Sequence, residues 1–387
     1  MTLRTLLRVI AALLFASQAA NGQALDTLVE AGGSRLHFHI VRGKGIPILF
    51  ESGGGDGASV WSALEAPVVA AITGTTLIMY DRAGFGRSDV DSLRHDLVAG
   101  EDKLDAALKR LGYSGDIMLV AHSLGGFYAT YFASRHLDRV KAAVLIDGNL
   151  SCFATDDYLA KNRSADLAQM EQFRRSGRMG LYYIYADQKT TVTTMRSVAF
   201  PKSVPLTDFV SERTPFPDST DDARWKRCHQ EFAAAASNRR GVRAYGSGHY
   251  IFLDQQALVI GAIVDQYAAL LNEKERTALY ARSHAWTQRV ANEQNVPESA
   301  RRISERDINI WGYALLKQGE MAKALEVFRL NVANHPGSAN VYDSLAETYE
   351  MLGDTTAAIR NYTRVLQLKP GSTNAADHLK KLGKIMP

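Results

Sequence analysis

Short apolar runs alternate with helix-like spacing along the first 270 or so residues. "RLHFHIV" and "IPILFES" read as strands around a Gly-containing turn, "TTLIMYD" as a third strand, "DIMLVAHS" as a fourth and "VKAAVLIDG" as a fifth. Between them, residues 91–112 and 124–137 place apolar side chains at helical intervals. Continuous apolar strands separated by helices predict an α/β fold, with a mostly parallel sheet covered on both faces. Residues 151–203 break the rhythm. They are rich in Met, Arg, Gln and Tyr, include "SADLAQMEQFRRSG" and hold no clear strand, which predicts an inserted helical cap. The alternation then resumes with "SVPLTDFVS", a helix over 221–237, the strand "GVRAYG" and a helix over 254–272.

Beyond residue 304 the pattern becomes purely helical and repeats itself. A shift of 34 residues superposes Gly319 on Gly353, Ala324 on Ala358, Phe328 on Tyr362 and Pro336 on Pro370. The second copy adds Tyr342, Leu345, Ala346 and Tyr349. Small residues where two helices cross, an aromatic knob and a closing proline at this period resemble the tetratricopeptide repeat (TPR). The resemblance implies an all-α segment over 304–387, with repeats at about 305–338 and 339–372. Stacked repeats need neighbours to cover their apolar faces, so helices over 276–296 and 373–383 are expected to act as caps. Residues 276–303 would connect the two regions.

Residues 1–24 carry Arg4 and Arg8, the apolar run Val9 to Ala16, and a small-residue end suited to cleavage after Gly22 or Ala24. The run is short for a bilayer span, so a secretory signal is expected, with a periplasmic or secreted protein and no stable membrane span once it is removed. Removing the two arginines lowers the formal net charge of +4 by two, too little to imply nucleic-acid binding. Two cysteines, Cys152 and Cys228, leave one disulfide open. His, Cys and carboxylates show no ligand spacing, so neither a metal nor another cofactor is expected.

A serine hydroxyl becomes a nucleophile only where a base takes its proton and donors stabilise the oxyanion. Ala121-His122-Ser123-Leu124-Gly125 places Ser123 at a strand end between small residues, as a tight strand-to-helix turn demands, and the following helix aims the Leu124 amide at developing charge. Gly53, Gly54 and Gly55 follow an earlier strand, and the Gly54 amide is the second candidate oxyanion donor. This loop lacks the GxGxxG or GK[ST] spacing of a phosphate cradle. His249, in the late segment "VRAYGSGHYIFLDQ", is the candidate base. His37, His39 and His229 read as structural or surface residues, and His122 as a packing or orienting neighbour of the serine.

"ESGGG", "MYDRAGFGRSD", "LVAHSLGGFYA" and "GSGHYIFLDQ", in this order, resemble the alpha/beta-hydrolase superfamily over roughly residues 30–272. The resemblance implies a hydrolase domain over 25–275, with its helical cap at about 151–203, Ser123 as nucleophile, His249 as base, and the Gly54 and Leu124 amides as oxyanion hole. Residues 81–89, "DRAGFGRSD", correspond to the family's loop beside the site, where Asp81 and Arg82 read as mainly structural. A serine at 123 argues against epoxide hydrolase and haloalkane dehalogenase chemistry, where the relatives carry an aspartate. The acid departs from the common pattern, because "ERTPFPDSTDD" lacks the expected glycine. Asp147 in "VLIDG" is the first choice, with Asp221, Asp222 or Glu212 as alternatives. The implied reaction is serine-ester hydrolysis of a small acyl substrate, with lactone, thioester, amide and carbon–carbon bond hydrolysis open. The competing reading is an interaction protein with a weak or inactive hydrolase domain, its repeats holding a protein or peptide partner.

Overall fold

In the computed structural model, residues 24–72, 74–244, 246–292, 305–317 and 321–383 are described. The proposed signal segment therefore lies almost wholly outside the described residues, as does Gly319 of the repeat register. The chain divides into two compact units. One comprises residues up to Asp208 with Ala223–Arg240, the other Phe209–Asp222 with everything from Gly241 onward.

An eight-stranded sheet has the order β1-β2-β4-β3-β5-β6-β7-β8. Its strands are β1 (Ala24–Ala31), β2 (Ser34–Val41), β3 (Ile48–Glu51), β4 (Leu77–Tyr80), β5 (Ile117–His122), β6 (Val140–Ile146), β7 (Leu206–Ser211) and β8 (Arg239–Ala244). β1 pairs antiparallel with β2, and β2 with β4; β3 runs parallel to β4 and β5, and β5 parallel to β6. Every residue of β3, β4 and β5 is buried, as befits strands covered on both faces.

β1 is an addition to the five strands read before the cap. It lies at the sheet edge and alternates between exposed and covered positions, so only Val29 and Ala31 are buried. Gly32 and Gly33, at φ 63° and 95°, supply the two left-handed positions of a type I′ hairpin turn into β2.

The first unit holds α1 (Ser62–Ala71), α2 (Leu97–Arg110) and α3 (Gly125–Arg135). α2 begins six residues later than its spacing suggested. Asp91 Oδ1 accepts the Leu93 and Arg94 amides in a turn, and Asp96 then caps the helix by accepting from Ala99 N at 3.0 Å. Residues 151–203 form α4 (Asp156–Arg175), α5 (Met179–Ala186) and α6 (Gln188–Arg196), three helices and no strand, as their composition suggested. Leu97, Phe127, Tyr128, Ala154, Val192 and Met195 form one apolar cluster that joins α2 and α3 to this segment. α7 spans Ser219–Ala234.

In the second unit the helix expected over 254–272 is two, α8 (Ile251–Asp254) and α9 (Gln256–Ala268), followed by α10 (Glu273–Asn292). The C-terminal helices are α11 (Glu305–Lys317), α12 (Met321–Asn334), α13 (Ala339–Met351), α14 (Thr355–Leu368) and α15 (Thr373–Gly383), each packing on the next. Helix onsets at residues 305, 339 and 373, and at 321 and 355, keep the 34-residue step. Gly312 lies against the Phe328 ring, and the equivalent Ala346 shares a buried cluster with Ala358 and Tyr362. α15 is held by Glu350, which bonds His378 Nδ1 at 2.6 Å and Lys381 Nζ at 2.8 Å.

Candidate functional site

Ser123 stands between β5 and α3 with φ 52°. A residue with a Cβ pays roughly 1–3 kcal/mol to sit there, so its surroundings must hold it. The Ser123 amide donates to Ile146 O at 3.2 Å, and its carbonyl accepts from Gly126 N at 2.8 Å and Asn149 N at 2.7 Å. A Cβ on Gly125 would lie 2.7 Å from the Ser52 carbonyl oxygen, and one on Gly126 would lie 2.8 Å from Asn149 N. Small residues after the serine therefore let α3 start hard against the ends of β3 and β6. Leu124 is the N-cap of α3, and the Gly126 and Phe127 amides donate to the Ser123 and Leu124 carbonyls at 2.8 and 3.0 Å.

The triple glycine follows β3 with Ser52 between them. Gly54 is exposed and lies beside Leu124, so the two candidate oxyanion donors are neighbours. His122 is buried, with its ring against Gly53 and its Nδ1 3.9 Å from Asp56 Oδ2, in keeping with a packing role. The Asp81 carboxylate organises the loop opposite: it accepts from Ala58 N at 2.7 Å and Arg87 N at 2.9 Å, and pairs with His37 Nδ1 at 2.8 Å. His37 and His39 also share Asp26.

Beneath this loop lies a buried polar group whose partners no motif announced. Arg82 donates to the Ser52 carbonyl at 2.7 Å and to the Gly53 carbonyl, with Glu51 Oε2 3.5 Å from its guanidinium. Tyr80 OH donates to Glu51 Oε1 at 2.7 Å. Burial pushes the Glu51 carboxyl up to about 7 against the opposing charge of Arg82. Burial, then Glu51, drives Glu101 well above the ordinary carboxylate range, and neither Glu101 oxygen has a hydrogen-bond partner. Carboxyls raised in the folded state hold protons that the unfolded chain gives up near 4.5. For Glu51 the stabilising contribution is therefore complete below about pH 4.5 and drains away as pH climbs through about 7; for Glu101 it is lost as pH rises through its own raised range. Glu101→Gln is expected to flatten the fall in thermal midpoint as pH rises above the ordinary carboxylate range. A slope equal to that of the unmodified protein would refute this.

Of the candidate acids, Asp147 lies in the loop that brackets Ser123, between Ile146 and Asn149. It is fully buried, at φ 48°, and accepts from Trp225 Nε1 at 2.8 Å. Ser123 and Asp147 are the two non-glycine residues with positive φ among the described residues. Cys152 and Cys228 are joined, tying the stretch after Asp147 to α7 three residues beyond Trp225. His229 on the same helix is buried and pairs with Asp208 at 2.8 Å, which makes it structural as expected. The bond closes 76 residues, and its reduction should cost about 2–4 kcal/mol. A lower thermal midpoint in reductant for the unmodified protein, matched by Cys228→Ser without reductant, would show it; equal midpoints would refute it.

His249, Glu212, Asp221 and Asp222 belong to the second unit. Glu212 Oε2 accepts from Gly246 N at 2.6 Å, and Asp222 Oδ1 from Thr214 Oγ1 at 2.8 Å. Asp221 is buried in the first turn of α7. The first unit thus brings together Ser123, Leu124, Gly54 and Asp147, with Arg82 of the loop expected beside the site, and adds Trp225, which sequence reasoning did not place there.

Residues 46–179 match the family model described as alpha/beta hydrolase fold. The chain is 34% identical over 104 residues to the (lyso)-N-acylphosphatidylethanolamine lipase of Bos taurus, covering 26% of this chain and 30% of that protein. It is 31% identical over 134 residues to the cis-3-alkyl-4-alkyloxetan-2-one decarboxylase of Shewanella oneidensis, covering 32% and 41%. The chain therefore spans less than half the length of these curated relatives. Epoxide hydrolase A of Mycobacterium thermoresistibile superposes with a TM-score of 0.50 at 15% identity, over 63% of this chain and 98% of that one. These likenesses and the sheet order show an alpha/beta-hydrolase fold. No helix among the described residues is long and apolar enough to cross a membrane.

Proposed function

We propose that the protein is a serine hydrolase cleaving an ester-type acyl substrate through an acyl-enzyme. The observation that carries this reading is Ser123 in a left-handed conformation at a strand-to-helix junction, at the N-terminus of α3, with the exposed Gly54 beside Leu124. Ser123 Oγ attacks the acyl carbonyl while His249 takes its proton, and the oxyanion rests on the Gly54 and Leu124 amides. Collapse expels the alcohol, protonated by the same imidazole, and water activated by His249 releases the acid. Asp147 is the acid that orients the imidazole. The likeness to a protein named a lipase supports an acyl ester as substrate.

The protein acts after export to the periplasm or the exterior, a reading supported by the N-terminal pattern of charge, apolar run and small residues and by the Cys152–Cys228 bond. The C-terminal helices serve as TPR-like repeats for docking or for a protein or peptide partner, supported by their 34-residue step. The test is a fluorophosphonate probe on the mature protein, with the labelled peptide mapped by mass spectrometry. Labelling of Ser123, with turnover of p-nitrophenyl esters, is expected. A protein that neither labels nor hydrolyses any of an ester, lactone, thioester and amide panel is the interaction protein instead.

A further inference from the structure

Arg82 is buried at 6% exposure, and its partners lie one strand away, in the backbone of the glycine loop. Its guanidinium donates through one nitrogen to Ser52 O and through another to Gly53 O. The plane is held from several sides: the Tyr128 ring centroid lies 4.7 Å from the guanidinium carbon, the Phe85 centroid 5.7 Å, and Glu51 Oε2 sits 3.5 Å from Nη1. Glu51 is itself anchored by Tyr80 OH. The arrangement is a rigid fork delivered to two consecutive peptide carbonyls, a task for which a planar guanidinium suits and an ammonium does not.

The second carbonyl matters most. In a trans peptide the C=O of one residue and the N–H of the next share a plane and point in opposite directions. Gripping Gly53 O therefore fixes where Gly54 N–H points, with no contact to that amide. Gly53 and Gly54 have no side chain to lock the plane, and Gly54 is exposed, so without Arg82 the Gly53–Gly54 peptide has little to stop it rotating. The remaining bond to Gly53 O, from Asp56 N, is long at 3.4 Å.

We propose that Arg82 is a positioning residue of the oxyanion hole: its grip on the Ser52 and Gly53 carbonyls sets the plane of the Gly53–Gly54 peptide and so aims the Gly54 amide at the charge that develops on the substrate. The inference rests on the serine-hydrolase reading above. It assigns Arg82 a part in transition-state stabilisation and none in ground-state binding, because the guanidinium faces the loop's carbonyls and the amide it directs acts only where charge appears.

The test compares the unmodified protein with Arg82→Lys, Arg82→Met and the double variant Arg82→Met with Glu51→Gln, which removes the carboxylate that the single change strands in the interior. Ester kinetics, thermal midpoint and inhibition by an alkyl boronic acid, whose serine adduct places an oxygen in the hole, are measured on each. kcat is expected to fall about 10- to 100-fold in both Met variants, with KM within about threefold. Boronate affinity should weaken in step with kcat, and Arg82→Lys should lie between. The double variant is expected to keep its midpoint, so a poorly folding single variant does not decide the matter. A folded double variant with unmodified kcat overturns the assignment. So does a fall in kcat that leaves boronate affinity untouched, or one matched by an equal rise in KM. The unmodified protein separates the two levels: if its Ser123 takes no fluorophosphonate label, the hydrolase reading fails and this inference with it; if Ser123 labels and only the Arg82 results fail, the hydrolase reading stands.

Discussion

Ser123→Ala is expected to lower ester turnover by about five to six orders of magnitude and to abolish fluorophosphonate labelling, while KM and thermal midpoint stay near those of the unmodified protein. A side chain at φ 52° costs energy, and the fold meets that cost through three backbone hydrogen bonds and two glycines packed against backbone. Alanine carries the same Cβ and the same strain, so it removes the proposed nucleophile and little else. Ser123→Gly separates strain from chemistry. It should be equally inactive yet more stable, by about 1 kcal/mol, because glycine adopts this conformation freely. Turnover that survives either change, with p-nitrophenyl esters as substrate, would remove Ser123 from the reaction.

The parts of this site that were legible in the sequence are those with local signatures. β3 to β6 are apolar on both faces and stand out from the helices between them, so the sheet centre could be read. β1 is half exposed at an edge and has no such contrast; its usable signal was the Gly32-Gly33 pair that turns it back on β2. Ser123 and the glycine loop were legible because tight turns need small residues at set offsets. Arg82 reads only as a mainly structural residue beside the site; its grip on the glycine loop was not legible, because its partners are main-chain carbonyls some 30 positions away, and any sequence has carbonyls there. Glu101 did leave a trace: it falls with Leu97, Leu104 and Leu108 on the buried stripe of α2, a carboxyl where the helix calls for an apolar residue. The pairing of Cys152 with Cys228 depends on where β6 and α7 come to rest, which two cysteines 76 residues apart do not encode.

Asp147→Asn should lower kcat by about 10³- to 10⁴-fold, whereas Asp221→Asn should stay within about tenfold of the unmodified protein. A carboxylate serves the imidazole by accepting its N–H, which selects the tautomer that takes the serine proton and stabilises the cation that results. Asp147 fits the proposed part: its φ of 48° costs the fold energy, and Trp225 Nε1 donates to Oδ1 and so anchors the carboxylate. Asparagine can keep the Trp225 bond through its carbonyl oxygen, but it brings an amide N–H₂ and no charge. The variant should therefore fold and fail. Asp221 sits in the first turn of α7, next to the Asp218 side chain that accepts the amides of Thr220 and Asp221, where an acidic residue also serves the helix dipole. Its neutralisation should move the thermal midpoint more than the rate. If Asp221→Asn is instead the variant that loses orders of magnitude in kcat, the acid comes from the helix after β7, and the strained turn at Asp147 supports Trp225 and the disulfide-linked loop without serving the base.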